Sequence, residues 1–299
     1  MTDKRACFDF EVTFSNGGGL QGQDFRLDIE GDDIDDDALA AHVIRDLRLL
    51  MVGEVRILNK TIIAERHKGS ATRAERPAGA VRRAVDLSHV IEDGMITYKG
   101  LPAPIICDHM SFAESHDHYE PGTEFSIARI DMVANTGTYL DTPRHRYREG
   151  DDLAAVELAR LSDLPGVVVR VTGATARAID WTAFAPVDVR GRAVLVHTGW
   201  DLHWRTDQYF EGHPHLTEQA ARFLVEQGAA LVGIDSLNID DTSRRTRPVH
   251  SVLLGAGVPI VEHMTNLEAL PLTGFRFWAA PPKVLGMGTF PVRAHAILD

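Results

Sequence analysis

The chain has 299 residues, of which 44% are hydrophobic and 25% charged, and these ordinary proportions argue against a wholly disordered protein. Its formal net charge of −12 repels phosphate backbones and argues against nucleic-acid binding. No run of about 18 apolar residues occurs, so we expect no membrane-spanning segment.

The cysteines and the first residues indicate the compartment. Cys7 and Cys107 are the only cysteines, and they are far apart with no CxxC spacing, so a disulfide framework is not expected. The N-terminal residues lack the continuous apolar segment of a signal peptide. We therefore expect a cytoplasmic protein.

The first 67 residues have the pattern of a small unit. Apolar and polar residues alternate over 8–15 and again over 23–30, and the intervening Asn-Gly-Gly-Gly at 16–19 tolerates positive φ, which predicts a hairpin. A phosphate-binding loop is the alternative for these glycines, but no helix follows them directly.

A helix and a strand follow the hairpin. Three aspartates at 35–37 place negative charge where a helix would begin. Apolar residues then recur at helical spacing: Leu39, Val43, Ile44, Leu47 and Leu50. Strand-like chemistry returns over 54–66, so residues 1–67 are predicted to form a ββαβ module.

Residues 68–84 are rich in Ala, Arg and Gly without apolar periodicity, and we interpret them as a linker. From 85 to 299, short apolar runs recur between turn signals, as expected of strands buried on both faces. An amphipathic helix is predicted from Thr217, its N-cap, to Gln227. The larger domain is therefore predicted to be α/β.

Residues 135–145, which read NTGTYLDTPRH, contain Asp141 and, four residues later, His145 between turn-forming residues. By itself this spacing also fits an aspartate that caps a turn and a histidine on the surface. Downstream, His250 follows Pro248, and Glu262 ends an apolar run. If Asp141, His250 and Glu262 converge, they form an oxygen and nitrogen ligand set suited to zinc or manganese.

These motifs resemble those of the cyclase family of metal-dependent hydrolases, which includes bacterial kynurenine formamidase and isatin hydrolase. The family signature HxGTHxDxPxH corresponds to residues 135–145, and the downstream His and Glu, twelve residues apart, correspond to His250 and Glu262. Flanking motifs agree at 86–89, 94–100, 232–235, 266–268 and 291–294. The resemblance covers roughly residues 85–298 and implies a swivelling β/β/α-like core with a mixed sheet.

The resemblance also implies roles for single residues. In the family, the two signature histidines and the Asp hold metal, the last signature His shuttles protons, and the distal His and Glu complete a two-metal site. Carried over, the metal ligands would be Asp141, His250 and Glu262. His145 would be the general acid and base, and Tyr98 would line the substrate pocket.

The chain departs from the signature at two positions, since Asn135 and Tyr139 replace the two histidines. Asparagine is a weak oxygen ligand, and tyrosine binds zinc well only when deprotonated, against a reference pKa of about 10. We therefore expect one metal of the pair to be lost or weakened, and Asn135 to contact substrate instead.

Three interpretations of the site remain open. One divalent ion, zinc or manganese, binds per chain to Asp141, His250 and Glu262. Alternatively no metal binds, and Tyr139, His145 and Asp141 act with Glu262 as an acid–base pocket. In the third, the pocket only binds a ligand and the protein is a pseudoenzyme.

Other side chains have functional and structural interpretations. His116 and His118 are candidates to replace the missing ligands, or belong to a solvated loop. The histidines at 213 and 215 are expected to precede a helix, and His197 to lie in the core. Trp200, Trp204 and Tyr209 either line an aromatic pocket or pack internally. The arginines at 244, 245 and 247 either attract a carboxylate-bearing substrate or form a charged loop.

We interpret the chain as a hydrolase that acts on an amide, N-formyl, lactam or lactone carbonyl of a small metabolite, with an aromatic metabolite as one candidate. Ring opening and ring closure share one transition state, so a biosynthetic cyclase is an alternative, as is a non-catalytic binding protein. The family resemblance further implies a homo-oligomer, either a dimer or a tetramer.

Overall fold

The computed structural model describes residues 4–15, 18–29, 31–47, 49, 52–64 and 83–298. The chain divides into two units, residues 1–80 and 81–299. Part of the predicted turn at 16–19 and all but the last two residues of the predicted linker at 68–84 lie outside the described residues. Within the described ranges, no helix is long and apolar enough to cross a membrane.

The N-terminal unit has the element order ββαβ that the sequence predicts. Its elements are β1 (Lys4–Phe14), β2 (Gly19–Ile29), α1 (Asp36–Asp46) and β3 (Val52–Ala64), with both β2 and β3 antiparallel to β1. Alternate β1 side chains, including Phe8 and Phe10, belong to one core with Leu39 and Val43 of α1. The Asp35 side chain accepts a hydrogen bond from the Ala38 N–H and caps α1.

The second unit contains the remaining elements. Its strands are β4 (Ala84–Asp86), β5 (Ile105–Met110), β6 (Ile127–Asp131), β7 (Tyr139–Asp141), β8 (Leu164–Arg170), β9 (Ala178–Ile179), β10 (Ala193–His197), β11 (His215–Leu216), β12 (Leu231–Ile234), β13 (Ile260–Glu262), β14 (Phe275–Trp278), β15 (Thr289–Pro291) and β16 (His295–Leu298). Its helices are α2 (Phe112–Ser115), α3 (Pro143–Arg146), α4 (Glu218–Glu226) and α5 (Pro248–Gly255).

The main sheet of this unit is mixed. Its order is β15-β7-β13-β12-β10-β8-β14-β16-β4, with β8, β10, β12 and β13 parallel and antiparallel pairing on both sides of them. Successive residues of the parallel strands belong to different cores: Val167 and Val169 to one, Val168 to the other. The strands are therefore buried on both faces, and the predicted α/β fold with a mixed sheet is confirmed.

The predicted helix at 217–227 corresponds to α4. The Thr217 hydroxyl accepts a hydrogen bond from the Ala220 N–H, and Ala220, Ala221 and Leu224 are buried. Gly228, just past the helix end, has φ of 80°, which favours glycine.

Candidate metal centre and pocket

Three neighbouring strands present polar side chains on one face of the main sheet. In the register, Glu262 of β13 lies opposite Tyr139 of β7, and Thr289 of β15 lies opposite Asp141. Because side chains two residues apart on a strand point to the same face, Tyr139 and Asp141 share a face. The Thr289 hydroxyl donates a hydrogen bond to Asp141 Oδ1.

The first turn of α5 brings His250 to this face. Asp240 accepts hydrogen bonds from the Val249 N–H at 2.8 Å and the His250 N–H at 3.0 Å, and its Oδ2 lies 2.7 Å from His250 Nδ1. A carboxylate only accepts, so Nδ1–H donates and Nε2 faces the site. Nε2 lies 3.6 Å from Asp141 Oδ2 and 3.6 Å from Glu262 Oε1.

Among the described residues, the group that could hold a metal ion comprises Asp141, His145 and His250, with ligand atoms within 4.8 Å of one another. Glu262, the third ligand expected from the sequence, is not in this group, and His145, expected to be the general acid and base, is. Asp141 is fully buried, yet its Oδ2 has no hydrogen-bond partner there. Such an orphaned buried oxygen is costly unless a ligand satisfies it. Two tetrahedral ligands at zinc–ligand distances of about 2.0–2.1 Å lie roughly 3.4 Å apart, near the observed 3.6 Å separations.

Three donors hold the carboxylate of Glu262. The Ile239 N–H donates to Oε1 at 2.7 Å, and Oε2 accepts from the Tyr139 hydroxyl at 2.8 Å and from Asn238 Nδ2 at 3.3 Å. Burial raises the pKa of Glu262, whereas the His250 imidazolium lowers it and favours the carboxylate.

Tyr139 is buried, and the Asn135 side chain lies near its hydroxyl. Burial raises the pKa of Tyr139 well above its usual value, and the carboxylates of Glu262 and Asp141 raise it further. The hydroxyl therefore keeps its proton and acts as a donor rather than as a phenolate ligand. Positions 135 and 139 therefore offer an amide and a protonated hydroxyl where the family signature has two histidines.

His145, in α3, lies at the edge of the site with about a third of its side chain exposed. Its Nδ1 is 2.7 Å from the Thr289 hydroxyl oxygen and 3.5 Å from Asp141 Oδ1. Gly288 permits this approach, because a Cβ there would lie 2.3 Å from the His145 backbone nitrogen. Since the Thr289 proton goes to Asp141, His145 Nδ1–H donates to Thr289, and Nε2 is left as the ring nitrogen that can accept a proton.

These groups open onto a cavity of about 420 Å³. Its lining comprises Tyr98, Lys99, Gly100, Leu101, Asn135, Tyr139, His145, Arg146, Asn238, Arg247, His250 and Glu262. Tyr98 and Asn135, the residues expected to contact substrate, are both in this lining. Burial raises the pKa of Tyr98, and the nearby Arg247 guanidinium opposes this shift.

Other candidates lie away from the cavity. His116 is exposed and lies 2.6 Å from Glu124, and His118 is also exposed. His213 is buried 3.0 Å from the Thr242 hydroxyl. His197 is buried in β10 beside Arg170.

The three aromatic residues that were candidates for an aromatic pocket are not part of this cavity lining. Trp204 packs edge-on against Tyr209, and the Trp200 Nε1–H donates to the Tyr209 carbonyl. Of the two interpretations of these aromatic residues, the structure shows internal packing.

Sequence reasoning missed Asn238, Asp240 and Thr289 at the site. The run Asn-Ile-Asp-Asp at 238–241 follows a buried strand, and this polar signal could have identified the first two. Nothing local marks Thr289, which reaches the site only through the pairing of β15 with β7.

Comparison with known proteins agrees with this architecture. Residues 85–241 match the family model described as "Putative cyclase". The kynurenine formamidase of Geobacillus thermodenitrificans is 26% identical over 171 residues, which span 56% of this chain and 78% of the relative.

Two solved structures share the fold over 73% of this chain. One is described as a potential metal-dependent hydrolase with cyclase activity, with 27% identity, 99% of its own chain covered and a TM-score of 0.60. The other is isatin hydrolase A from Labrenzia aggregata, with 22% identity, 94% of its chain covered and a TM-score of 0.61.

Proposed function

The chain belongs to the cyclase family, and from that premise we propose that it is a hydrolase with a single-ion centre, acting on the amide or ester carbonyl of a small aromatic metabolite. The observation that carries the proposal is the unpartnered, buried Oδ2 of Asp141, 3.6 Å from His250 Nε2. The kynurenine formamidase and isatin hydrolase relatives support the reaction class.

Asp141, His250 and Glu262 would hold the ion, zinc or manganese according to their oxygen and nitrogen ligands. When bound, the ion would supply a Lewis acid and a water of lowered pKa. Without an ion, burial lowers the pKa of His250, but the carboxylates of Glu262, Asp141 and Asp240 outweigh burial and raise it to about 10. An ion that binds His250 Nε2 must therefore displace the proton there.

His145 handles the proton at the cavity. Its Nε2 accepts a proton from the attacking water and returns it to the leaving nitrogen or oxygen, while Nδ1–H stays hydrogen-bonded to Thr289. Thr289 in turn donates to Asp141, so the three side chains form a chain that fixes the tautomer of His145.

The mouth of the cavity favours a substrate that carries a carboxylate. Arg146 donates to the Ser251 hydroxyl and Arg247 to the Arg244 carbonyl, and in the part of the chain that the structure describes neither forms an ion pair. Two guanidiniums at the rim of a cavity whose floor is acidic would orient an anionic substrate with its carbonyl inward.

Metal content of the purified protein tests the proposal. We expect about one equivalent of zinc or manganese per chain by inductively coupled plasma mass spectrometry, and its loss in Asp141→Ala but not in Asp131→Asn, an exposed control. The same samples would be assayed on paired aromatic formamides with and without a ring carboxylate. No metal under any loading, or no hydrolysis of any formamide, lactam or lactone, would contradict the proposal and favour an acid–base pocket or binding alone.

A further inference from the structure

A row of buried polar side chains lies behind Glu262, and the reaction proposed above does not use it. The Tyr209 hydroxyl lies 2.8 Å from His263 Nδ1, and His263 Nε2 lies 3.3 Å from the Tyr139 hydroxyl. The Tyr139 hydroxyl lies 2.8 Å from Glu262 Oε2. Each of these groups is buried.

The direction of every hydrogen bond in this row follows from counting donors. Glu262 accepts from the Ile239 N–H and from Asn238 Nδ2, as a carboxylate does, so Tyr139 gives it the single hydroxyl proton. Because that proton is used, His263 Nε2–H must donate to the Tyr139 oxygen. His263 Nδ1 must then accept, and Tyr209 donates to it.

The protein holds this row in place from several sides. His263 has φ of 54°, a left-handed conformation that is strained for a non-glycine residue. The Thr138 hydroxyl donates to the His263 carbonyl at 2.5 Å. Trp204 contacts the rings of both Tyr209 and His263, at centroid distances of 5.0 and 5.7 Å. These contacts fix the imidazole between the two hydroxyls.

The hydrogen bonds that Glu262 accepts determine how many lone pairs it has left for a metal ion. A carboxylate offers about four lone-pair positions. Oε2 uses both of its own, on the Tyr139 hydroxyl and on Asn238, and Oε1 uses one on the Ile239 N–H. One position remains, on Oε1, the oxygen that lies 3.6 Å from His250 Nε2. Glu262 can therefore serve one ion and has no lone pair for another.

We propose that Tyr209, His263 and Tyr139 form a directed hydrogen-bond relay that ends on Glu262 and takes the place of a second cation. Tyr139 is the positioning residue of this relay: it saturates Oε2 and turns Oε1 toward a single ion. The positioning role of Tyr139 rests on the proposed function, because it requires a bound ion. The directions of the hydrogen bonds within the relay do not depend on the ion.

The tautomer of His263 tests the relay without metal or turnover. In a ¹⁵N-histidine-labelled protein, the two-bond ¹H–¹⁵N spectrum should show His263 as neutral and protonated on Nε2, with His263→Gln identifying its signals. Tyr209→Phe removes the donor to Nδ1 and should shift the Nδ1 resonance, whereas Tyr119→Phe, at an exposed tyrosine, should not. A wild-type His263 protonated on Nδ1 would overturn the relay.

Metal affinity tests the positioning role. Competition against a chromophoric chelator should show zinc binding weakened about 10- to 100-fold in Tyr139→Phe, the range found when outer-shell partners are removed. Tyr209→Phe should lose less, and the double variant should bind no more weakly than Tyr139→Phe, since both changes act through one chain. Two equivalents of metal per wild-type chain, or Tyr139→Phe binding as tightly as wild type, would refute the positioning role. A wild-type protein without metal affinity would refute the proposed function and the positioning role, while the tautomer would still decide the relay.

Discussion

Thr289 connects Asp141 to His145 through one hydroxyl group. Replacing it with valine keeps the side-chain shape and removes the acceptor of His145 Nδ1–H, so the tautomer with a free Nε2 loses its support. We expect Thr289→Val to lower kcat about 10- to 100-fold with little change in KM, because general acid–base catalysis contributes about 10²–10⁴-fold.

Steady-state kinetics on the best substrate of the formamide panel measures this effect. Thr289→Ser should restore most of kcat, since it restores the hydroxyl. Thr265→Val is the matched control, because the Thr265 hydroxyl donates at 2.8 Å to Asp201 outside the cavity lining. If Thr289→Val had the wild-type kcat, the orientation of His145 by Thr289 would not contribute to catalysis.

At the scale of elements, the start of α5 depends on Asp240. Its carboxylate accepts from two backbone N–H groups and from His250, so it both caps the helix and orients the imidazole. Asp240→Asn places an amide NH₂ against one of these donors. We expect zinc affinity to fall about 10- to 100-fold, as for other outer-shell changes, together with a lower Tm.

Chelator competition and thermal unfolding measure the two effects separately. The control is Asp241→Asn, at the adjacent residue, whose carboxylate accepts from the Ser243 N–H and hydroxyl instead. Equal zinc affinity in Asp240→Asn and wild type would show that α5 places His250 without help from this carboxylate.

Element boundaries show where sequence patterns end. Alternation predicted strands at 8–15 and 23–30, but β1 begins at Lys4 and β2 at Gly19. Glycine has no side chain and so adds nothing to an alternation of apolar and polar residues. Its backbone can still pair in a sheet, as that of Gly19 does with Thr13. The pattern detects buried side chains, whereas backbone hydrogen bonds set where a strand starts.

At the scale of the whole molecule, buried neutral histidines make stability depend on pH. Burial lowers the pKa of His213 and of His89 to about 4 each. A histidine with a lowered folded-state pKa takes up a proton more readily when unfolded, so its contribution is full above about pH 6.5 and is lost as the pH falls toward 4. When the pH falls from 7 to 5, each of these two histidines should lower the free energy of unfolding by about 2 kcal/mol.

Urea unfolding at the two pH values measures this loss. In His213→Gln the loss should be smaller by about that amount, whereas exposed His118→Gln should lose as much as wild type. An equal loss in all three proteins would assign the acid sensitivity to other groups.

The homo-oligomer implied by the family resemblance stays a prediction, which the molar mass in solution would check.

By itself, the sequence determined the α/β class, the ββαβ order of the first unit and the family, because periodicity, turn residues and spaced motifs are local signals. It also identified Asp141, His145, His250 and Glu262 as candidates. Only the tertiary structure decided which groups meet them. Thr289 and Tyr209 contact the site's residues across 144 and 54 positions of the chain, and strand register and packing, which no local pattern encodes, create those contacts. The role of Tyr139 also depends on tertiary structure. Its hydroxyl donates a hydrogen bond to Glu262 in the interior, where burial raises the pKa of Tyr139 and so keeps the hydroxyl protonated.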